Sequence, residues 1–587
     1  MTAWLPSWTG SAICMECRAL KIRFKKIKSI STAFLFIFFP LFIHSPVAHA
    51  NSLSISNVRL LSQNASADTI LIEFDITWDN SWKDSVNNDA AWVFFKYQCS
   101  GAACASKHST NQNYYHATLK TSGTNPSGFS TGSSGTAVDV IVPSDKKGCF
   151  IQRKSQGSGT VTTTDIQVVW DYGADTGGVT DLDRMIVSYD VNLYINAYGI
   201  EMVYIPQGGF HVGDGNSGVE GEFEFGSSTS LPAPINSEDG FAFTSAGSGG
   251  WFYNNSGTGN QEFAAGASFN VPSSFPKGFN AFYLMKYEIT QGQYVSFLNS
   301  LTRDQQNQRV ASTISGSTIA NFYVMVNSTS VLSRNTVTCA STQADTSTAI
   351  SFSATSAGGV GRDNRVEGFL SWMDFAAYAD WAALRPMTEF EYEKACRGPI
   401  YPVVNEYAWG GTNYSAAKLI SGAEIGTELS TTPGTTIINS GGASFIGGDG
   451  GNGPLRSGFF ATSTTATRIQ TGAGYYGSME LAGNVQEWVV TVGNSAGLSF
   501  SGTHGDGVLT DISGTTNDGN ATNLDWPGLS TTNDQGVTAA TGAGQRGWGF
   551  GSLAGSNTPR ISNRSSAVIT STTKLKDQGG RLARTSP

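Results

Sequence analysis

The sequence predicts an all-β sandwich over residues 51–198, followed over 199–587 by an α+β domain poor in regular structure. Three observations predict it. Ile70, Ile72, Phe74, Ile76 and Trp78 alternate with Leu71, Glu73, Asp75 and Thr77, the period of a strand with one face in a core. Between Thr290 and Arg397, three short segments carry helix-start signals. Much of the remaining second part is rich in Gly, Ser, Thr and Asn, and 69 of the 587 residues are glycine, which favours turns and long loops.

In the first part, residues 92–97, 166–170 and 185–195 read as further strands, separated by clusters of Gly, Ser, Asn and Asp. A sandwich of immunoglobulin size fits this spacing. The second part opens with a strand, Gly199 to Ile205, that ends at Pro206. The Gly/Ser-rich stretch that follows, to about Pro276, is too poor in apolar residues to pack alone and is expected to be a surface insertion. Thr290 caps the first helix, Gln293 completes its capping box, and Tyr294, Phe297, Leu298 and Leu301 form the apolar stripe. Ser371 caps the second, with Asp374 in its first turn; Thr388 and Glu391 form the box of the third. Arg581 and Arg584 are expected to fix a C-terminal strand and to pair with buried carboxylates such as Glu391 or Glu393. Exposed loop aromatics such as Trp251, Phe252, Tyr253 and Trp526 could touch a ligand, but pinning their own loops is the stronger expectation.

Residues 1–50 read as a signal peptide: Lys21, Arg23, Lys25, Lys26 and Lys28, an apolar run from Ala33 to Ile43, then Ala48-His49-Ala50. The run is too short to span a bilayer comfortably, and no later run is long enough. The mature chain is therefore expected to start at Asn51 with no transmembrane segment, and to be exported to the periplasm, the cell surface or the medium. The net charge of −9, with no Lys/Arg cluster after the leader, excludes nucleic acid as a partner. Of the seven cysteines, the mature chain keeps Cys99, Cys104, Cys149, Cys339 and Cys396. Cys99 and Cys104 flank a Ser-Gly-Ala-Ala loop, and a local disulfide between them is expected in an oxidising compartment. The odd count leaves at least one thiol free.

Several segments then line up in order. They are Glu201-Met202-Val203-Tyr204-Ile205-Pro206 with Gly208-Gly209-Phe210, and Phe282 to Thr290 with its helix. Next come Arg385-Pro386-Met387-Thr388-Glu389-Phe390-Glu391-Tyr392, Tyr407-Ala408-Trp409-Gly410, and Gly483-Asn484-Val485-Gln486-Glu487-Trp488. Arg546-Gly547-Trp548-Gly549 and Gly580-Arg581-Leu582-Ala583-Arg584 close the series. In this order they resemble the formylglycine-generating enzyme (sulfatase-modifying factor) family, from Gly199 to Arg584. The Gly-Asn-Val-x-Glu-Trp element is the most specific. The resemblance implies a C-type-lectin-like α+β fold for 199–587.

It also sets chemical expectations. The family's oxidases bind copper through two cysteines near the C-terminus, and soft thiolates are what select Cu(I). Here no cysteine follows Cys396, which is expected to be a small buried residue of the third helix. Ergothioneine-type relatives hold iron on three histidines; this domain has only His211 and His504, without ligand spacing. Neither copper nor iron is expected. The family's structural Ca²⁺ maps onto Glu480, the carbonyls of Gly483 and Val485, and Glu487, with Glu480 standing where Asn or Asp is usual. The functional expectation is a non-catalytic protein that binds a protein or glycan through surface loops. The alternative is an oxidative enzyme of the formylglycine-generating or a related sulfatase-modifying type with a non-standard site.

Overall fold

A computed structural model describes residues 52–98, 111–176 and 195–587 of the chain, apart from 217–220, 227–230, 245–248, 254–262, 264–266, 321, 340–345, 355–361, 417–419, 422–427, 431–436, 439–452, 462–466, 513, 533 and 551–558. The signal-peptide reading at 1–50, Cys99 and Cys104, and most of the strand expected at 185–195 lie outside these residues. Residues 48–587 form one compact unit, mostly β with a few short helices.

Strands β1 (Ser54–Asn64), β2 (Thr69–Lys83), β3 (Asp89–Tyr97), β4 (Ser130–Gly135), β5 (Val138–Val142), β6 (Cys149–Arg153) and β7 (Gly157–Asp171) come first. One sheet has the order β1-β2-β7-β4. The alternation is realised in β2, where Ile70, Ile72, Phe74, Ile76 and Trp78 are buried in one core with Val161, Ile166, Val168 and Trp170.

Strand β3 does something different. Ala91, Val93, Phe95 and Tyr97 enter the core beneath β2, while Ala90, Trp92 and Phe94 enter the larger core on the opposite face. A strand buried on both faces reads as a near-continuous apolar run, as Ala-Ala-Trp-Val-Phe-Phe does. Its neighbour is β8 (Ile195–Ile205), paired from Ile195↔Tyr97 to Val203↔Asp89. The other edge of β8 pairs with β9 (Phe282–Met285).

The remaining elements used here are α1 (Gln291–Leu298), α2 (Arg303–Arg309), α3 (Trp372–Trp381), β10 (Arg385–Pro386), α4 (Glu389–Arg397), β11 (Gln486–Val490), β12 (Ala543–Arg546), β13 (Gln578–Gly579) and β14 (Leu582–Thr585). The main sheet runs β10-β14-β9-β8-β3-β6-β5 and ends at Gly123–Thr124, with Tyr115–His116 beside β3. The junction expected at 198/199 thus falls inside a strand that pairs with sequence from both sides. A three-stranded sheet, β12-β11-β13, carries the Glu487-Trp488 segment.

The three expected caps are present: Thr290, Ser371 and Thr388 each close a full capping box. Helix α2 was not anticipated. Its sequence, Arg-Asp-Gln-Gln-Asn-Gln-Arg, has no apolar stripe, but Thr302 and Gln305 form a fourth box, and the buried Gln306 amide donates to the carbonyls of Leu298 and Ile350. The Gly/Ser-rich insertion is also more ordered than expected. Phe223–Gly226, Gly250–Tyr253, Phe241–Phe243 and Phe269–Val271 form a sheet, and Phe243 and Trp251 are buried. A few large aromatic side chains supply apolar area that composition alone understates. Trp251, Phe252, Tyr253 and Trp526 are all buried, so they pin their loops; the Trp526 indole N–H donates to the Thr503 carbonyl at 3.0 Å.

Candidate functional site

The structure holds two buried ionic frames. The first is built on Glu487 of β11. Its carboxylate accepts from Arg581, with Nε at 3.0 and 2.9 Å from the two oxygens and Nη2 at 2.8 Å, and both side chains are fully buried. Arg581 lies between β13 and β14, and its Nη1 also donates to the carbonyls of Met285 and Lys286. Next to this pair, Glu288 accepts from the Asn484 side-chain amide at 2.6 Å and from the Val485 backbone N–H at 3.1 Å. Asn484 holds a positive φ of 67° and accepts from the Leu455 N–H through Oδ1. Asn tolerates this conformation and bridges two segments, which explains its place in the motif. Burial, and then the neighbouring Glu487, push the Glu288 carboxyl well above the usual range.

The four residues expected to hold Ca²⁺ do lie on this turn, but they differ in fit. Glu480 is buried, with φ 55°, and its carboxylate faces the backbone of Gly458 and Phe459; burial pushes its pKa up to about 7. That donor suits a cation. Glu487 does not offer itself, because Arg581 takes both of its oxygens. The Gly483 N–H donates to the Gly547 carbonyl at 2.8 Å, tying the turn to the segment after β12. As arranged here, the set does not supply two carboxylates to a metal.

The second frame stands on α4, where Glu389, Glu393 and Arg397 follow one another at a spacing of four, one face of the helix. Glu389 accepts from Arg564 Nε at 2.8 Å, Arg546 Nη2 at 3.0 Å, Thr491 Oγ1 at 2.8 Å and the Val492 N–H at 2.9 Å. Burial alone would raise its pKa, but Arg564 and Arg546 overcome this and hold it down at about 2. Glu393 accepts from Arg546 and from Arg397, which also pairs with Glu406. Among the described residues between Arg546 and Arg564, both arginines are buried and bonded to carboxylates of α4. Burial also pushes the Cys396 thiol up to about 12, so it is not a poised nucleophile.

The pairing expected for the two C-terminal arginines is different in the structure. Glu391 binds Arg385 through both oxygens, at 2.9 and 2.6 Å, and Glu393 binds Arg546 and Arg397. Arg581 goes to Glu487, and Arg584 to Asp145, with its guanidinium 4.1 Å from the Trp92 ring centroid. His211 packs on Tyr401, while His504 accepts from the Thr585 N–H and lies 3.7 Å from Asp145, so their surroundings differ. Among the described residues, no group of three or more His, Cys, Asp or Glu is placed to hold a metal ion.

Open space lies elsewhere. Loops between Val508 and Gly536 enclose a cleft of about 850 Å³, lined by Val508, Ile512, Leu524 and Leu529 and by Asp511 and Asp534 among others. Leu524 is 86% exposed. The loops are anchored to the helices: Asp380 of α3 accepts from the N–H groups of Asp506, Gly507 and Thr522, and Arg309 of α2 donates to Asn520 at 2.9 Å. Sequence reading missed the cleft, because its lining residues are ordinary loop residues with no motif.

This is a β-rich chain whose motif residues build a buried ionic scaffold and which carries an open cleft between loops. Residues 247–504 match the family described as "Sulfatase-modifying factor enzyme 1-like domain". The chain carries such a domain, without the cysteines of the oxidases. No curated protein matches the chain.

Proposed function

We propose that this is an exported, non-catalytic binding protein. It holds a protein or glycan ligand on loops carried by a C-type-lectin-like domain, with an all-β sandwich preceding that domain. The cleft between Val508 and Gly536 carries the reading, since its loops are fixed to α2 and α3 by buried side chains. Loops on a rigid scaffold are where recognition usually resides. The basic-then-apolar start of the sequence supports export, and among the described residues no helix is long and apolar enough to cross a membrane.

The test is to display the mature chain, Asn51–Pro587, against glycan and peptide arrays, with Leu524→Asp and Leu529→Asp beside it. Ligands lost in both variants support the reading. Stoichiometric copper or iron in the purified protein, with oxygen consumption on a thiol peptide, would replace it with the oxidative alternative. A structural Ca²⁺ at Glu480, Gly483, Val485 and Glu487 is the competing reading of that turn, and it would require Arg581 to yield Glu487 to the ion.

A further inference from the structure

Three charged side chains meet on adjacent strands of the main sheet. Asp89 opens β3, Glu201 lies in β8, and Lys286 directly follows β9. Glu201 pairs with Ala91 on one side, and on the other its carbonyl accepts from the Lys286 N–H at 2.9 Å. This register turns the three side chains to one face. The Lys286 ammonium donates to Glu201 Oε2 at 3.1 Å and to Asp89 Oδ2 at 3.3 Å, and none of the three side chains is more than 5% exposed. The Trp82 and Tyr287 ring centroids lie 5.0 and 5.6 Å from Nζ. Other lysines of low exposure have a different setting. Lys277 and Lys394 donate to backbone carbonyls, and Lys574 shares Asp374 with Arg309.

Both oxygens of Asp89 are held in place. Oδ1 accepts from Ser81 Oγ at 2.7 Å and from the Trp82 N–H at 3.1 Å, and Oδ2 from the Trp78 indole N–H at 3.1 Å. Burial pushes the Glu201 carboxyl up against the pull of Lys286, which favours its acid form. Burial alone would lower the Lys286 pKa, but Tyr287, Glu201 and Asp89 outweigh it, so the amine stays charged until a proton is moved. A buried ion pair repays its desolvation poorly, whereas an amide between the same two ends carries no charge. Groups fixed in contact also react at effective concentrations that no free pair reaches.

We infer that Lys286 and Asp89 condense into an intramolecular isopeptide bond, with Glu201 relaying the protons. One ammonium proton passes by way of Glu201 to Oδ2 of Asp89, and the Nζ lone pair bonds to Cγ. Charge gathers on Oδ1, where the Ser81 hydroxyl and the Trp82 N–H receive it as an oxyanion hole does. A second Nζ proton takes the same route, the Cγ–Oδ2 bond breaks, and one water leaves. Glu201 ends as it began. The positive and negative charges cancel, and no oxidant, metal or ligand takes part. The bond joins residues 197 apart in sequence and ties β3 to the end of β9. It is independent of the loop cleft.

The test is the intact mass of residues 51–587, purified folded, then reduced and denatured, followed by tryptic mapping. The mass should fall below the sequence value by one water. Peptides 84–96 and 278–303 should appear as one branched species, uncleaved after Lys286. Lys286→Arg keeps the positive charge but cannot form the amide, so it should show its full sequence mass. Glu201→Gln should lose most of the cross-link. Wild type at its full sequence mass, a lost water that maps to any other site, or a cross-link undiminished in Glu201→Gln would overturn the inference. The wild-type mass and map decide the bond itself even if a variant fails to fold.

Discussion

Replacing Glu389 by Gln tests whether the α4 frame holds the domain together. Glu389 is fully buried and bonded by both Arg546 and Arg564. Its folded pKa of about 2, against 4.5 for a free side chain, corresponds to roughly 3 kcal/mol at neutral pH. The cost of removing one member of a buried ion pair, about 3–5 kcal/mol, agrees. For residues 51–587, roughly 540 residues melting as one unit, the unfolding entropy is about 1.1 kcal/mol/K, so Tm should fall by about 3 °C. The sign with pH is fixed. A depressed carboxylate contributes fully above its unfolded pKa, and that contribution fades as pH falls towards the folded value. The Tm gap between wild type and Glu389→Gln should therefore be full at pH 7 and shrink between pH 4.5 and about 2. Glu393→Gln is the internal control: Arg546 keeps Glu389 and Arg397 keeps Glu406, so its penalty should be smaller. Scanning calorimetry reads all three proteins. A Glu389→Gln gap below about 1 °C at pH 7, or one unchanged at pH 3, would refute the reasoning.

Glu480→Gln should act in the opposite direction. Its folded pKa is raised to about 7, so wild type loses stability as pH rises from 4.5 to 7; the variant should melt higher at pH 8 and equally at pH 4, by calorimetry. Calcium or a chelator should shift Tm little while Arg581 neutralises Glu487, and a Tm rise that saturates with calcium would show that the ion displaces the arginine. Cys149 and Cys396 are buried and unbridged, so a thiol reagent should label neither of them until denaturant is added. Residues 51–198 expressed alone should give no cooperative melt, because β3 would lose β8 from Gly199 onwards, and Trp92 and Phe94 would lose the core they pack in.

What the sequence revealed was mostly local. Capping boxes are written within four residues, so Thr290, Ser371 and Thr388 could be read directly; Thr302 had the same signature, but the lack of an apolar stripe hid α2. The β2 alternation was readable because one face is wet. The doubly buried β3 carried its message in plain view, an apolar run, and its meaning was that strands from both halves share one sheet. The ionic frames were not readable as pairs. Arg546 finds Glu393 across 153 residues, and any of several arginines could have been assigned to any of several glutamates. Only the fold selects among them, which is why Arg581 and Arg584 were matched to the wrong carboxylates.

The Gly483–Trp488 turn shows what buried charge requires of the fold around it. The turn needs Asn484 at positive φ, Glu288 to receive it, and a cation to balance buried Glu487. A metal could supply that charge, but then the turn would depend on ion supply. Arg581 supplies it from the residue next to β14, so the charge arrives only when the C-terminal strand docks on β9 and β10. A guanidinium stays charged at any physiological pH and cannot be chelated. Neutralisation of Glu487 is thereby coupled to closure of the main sheet. On this reasoning the motif is kept for folding, and deleting Gly580–Pro587 should loosen the turn itself as well as the sheet edge.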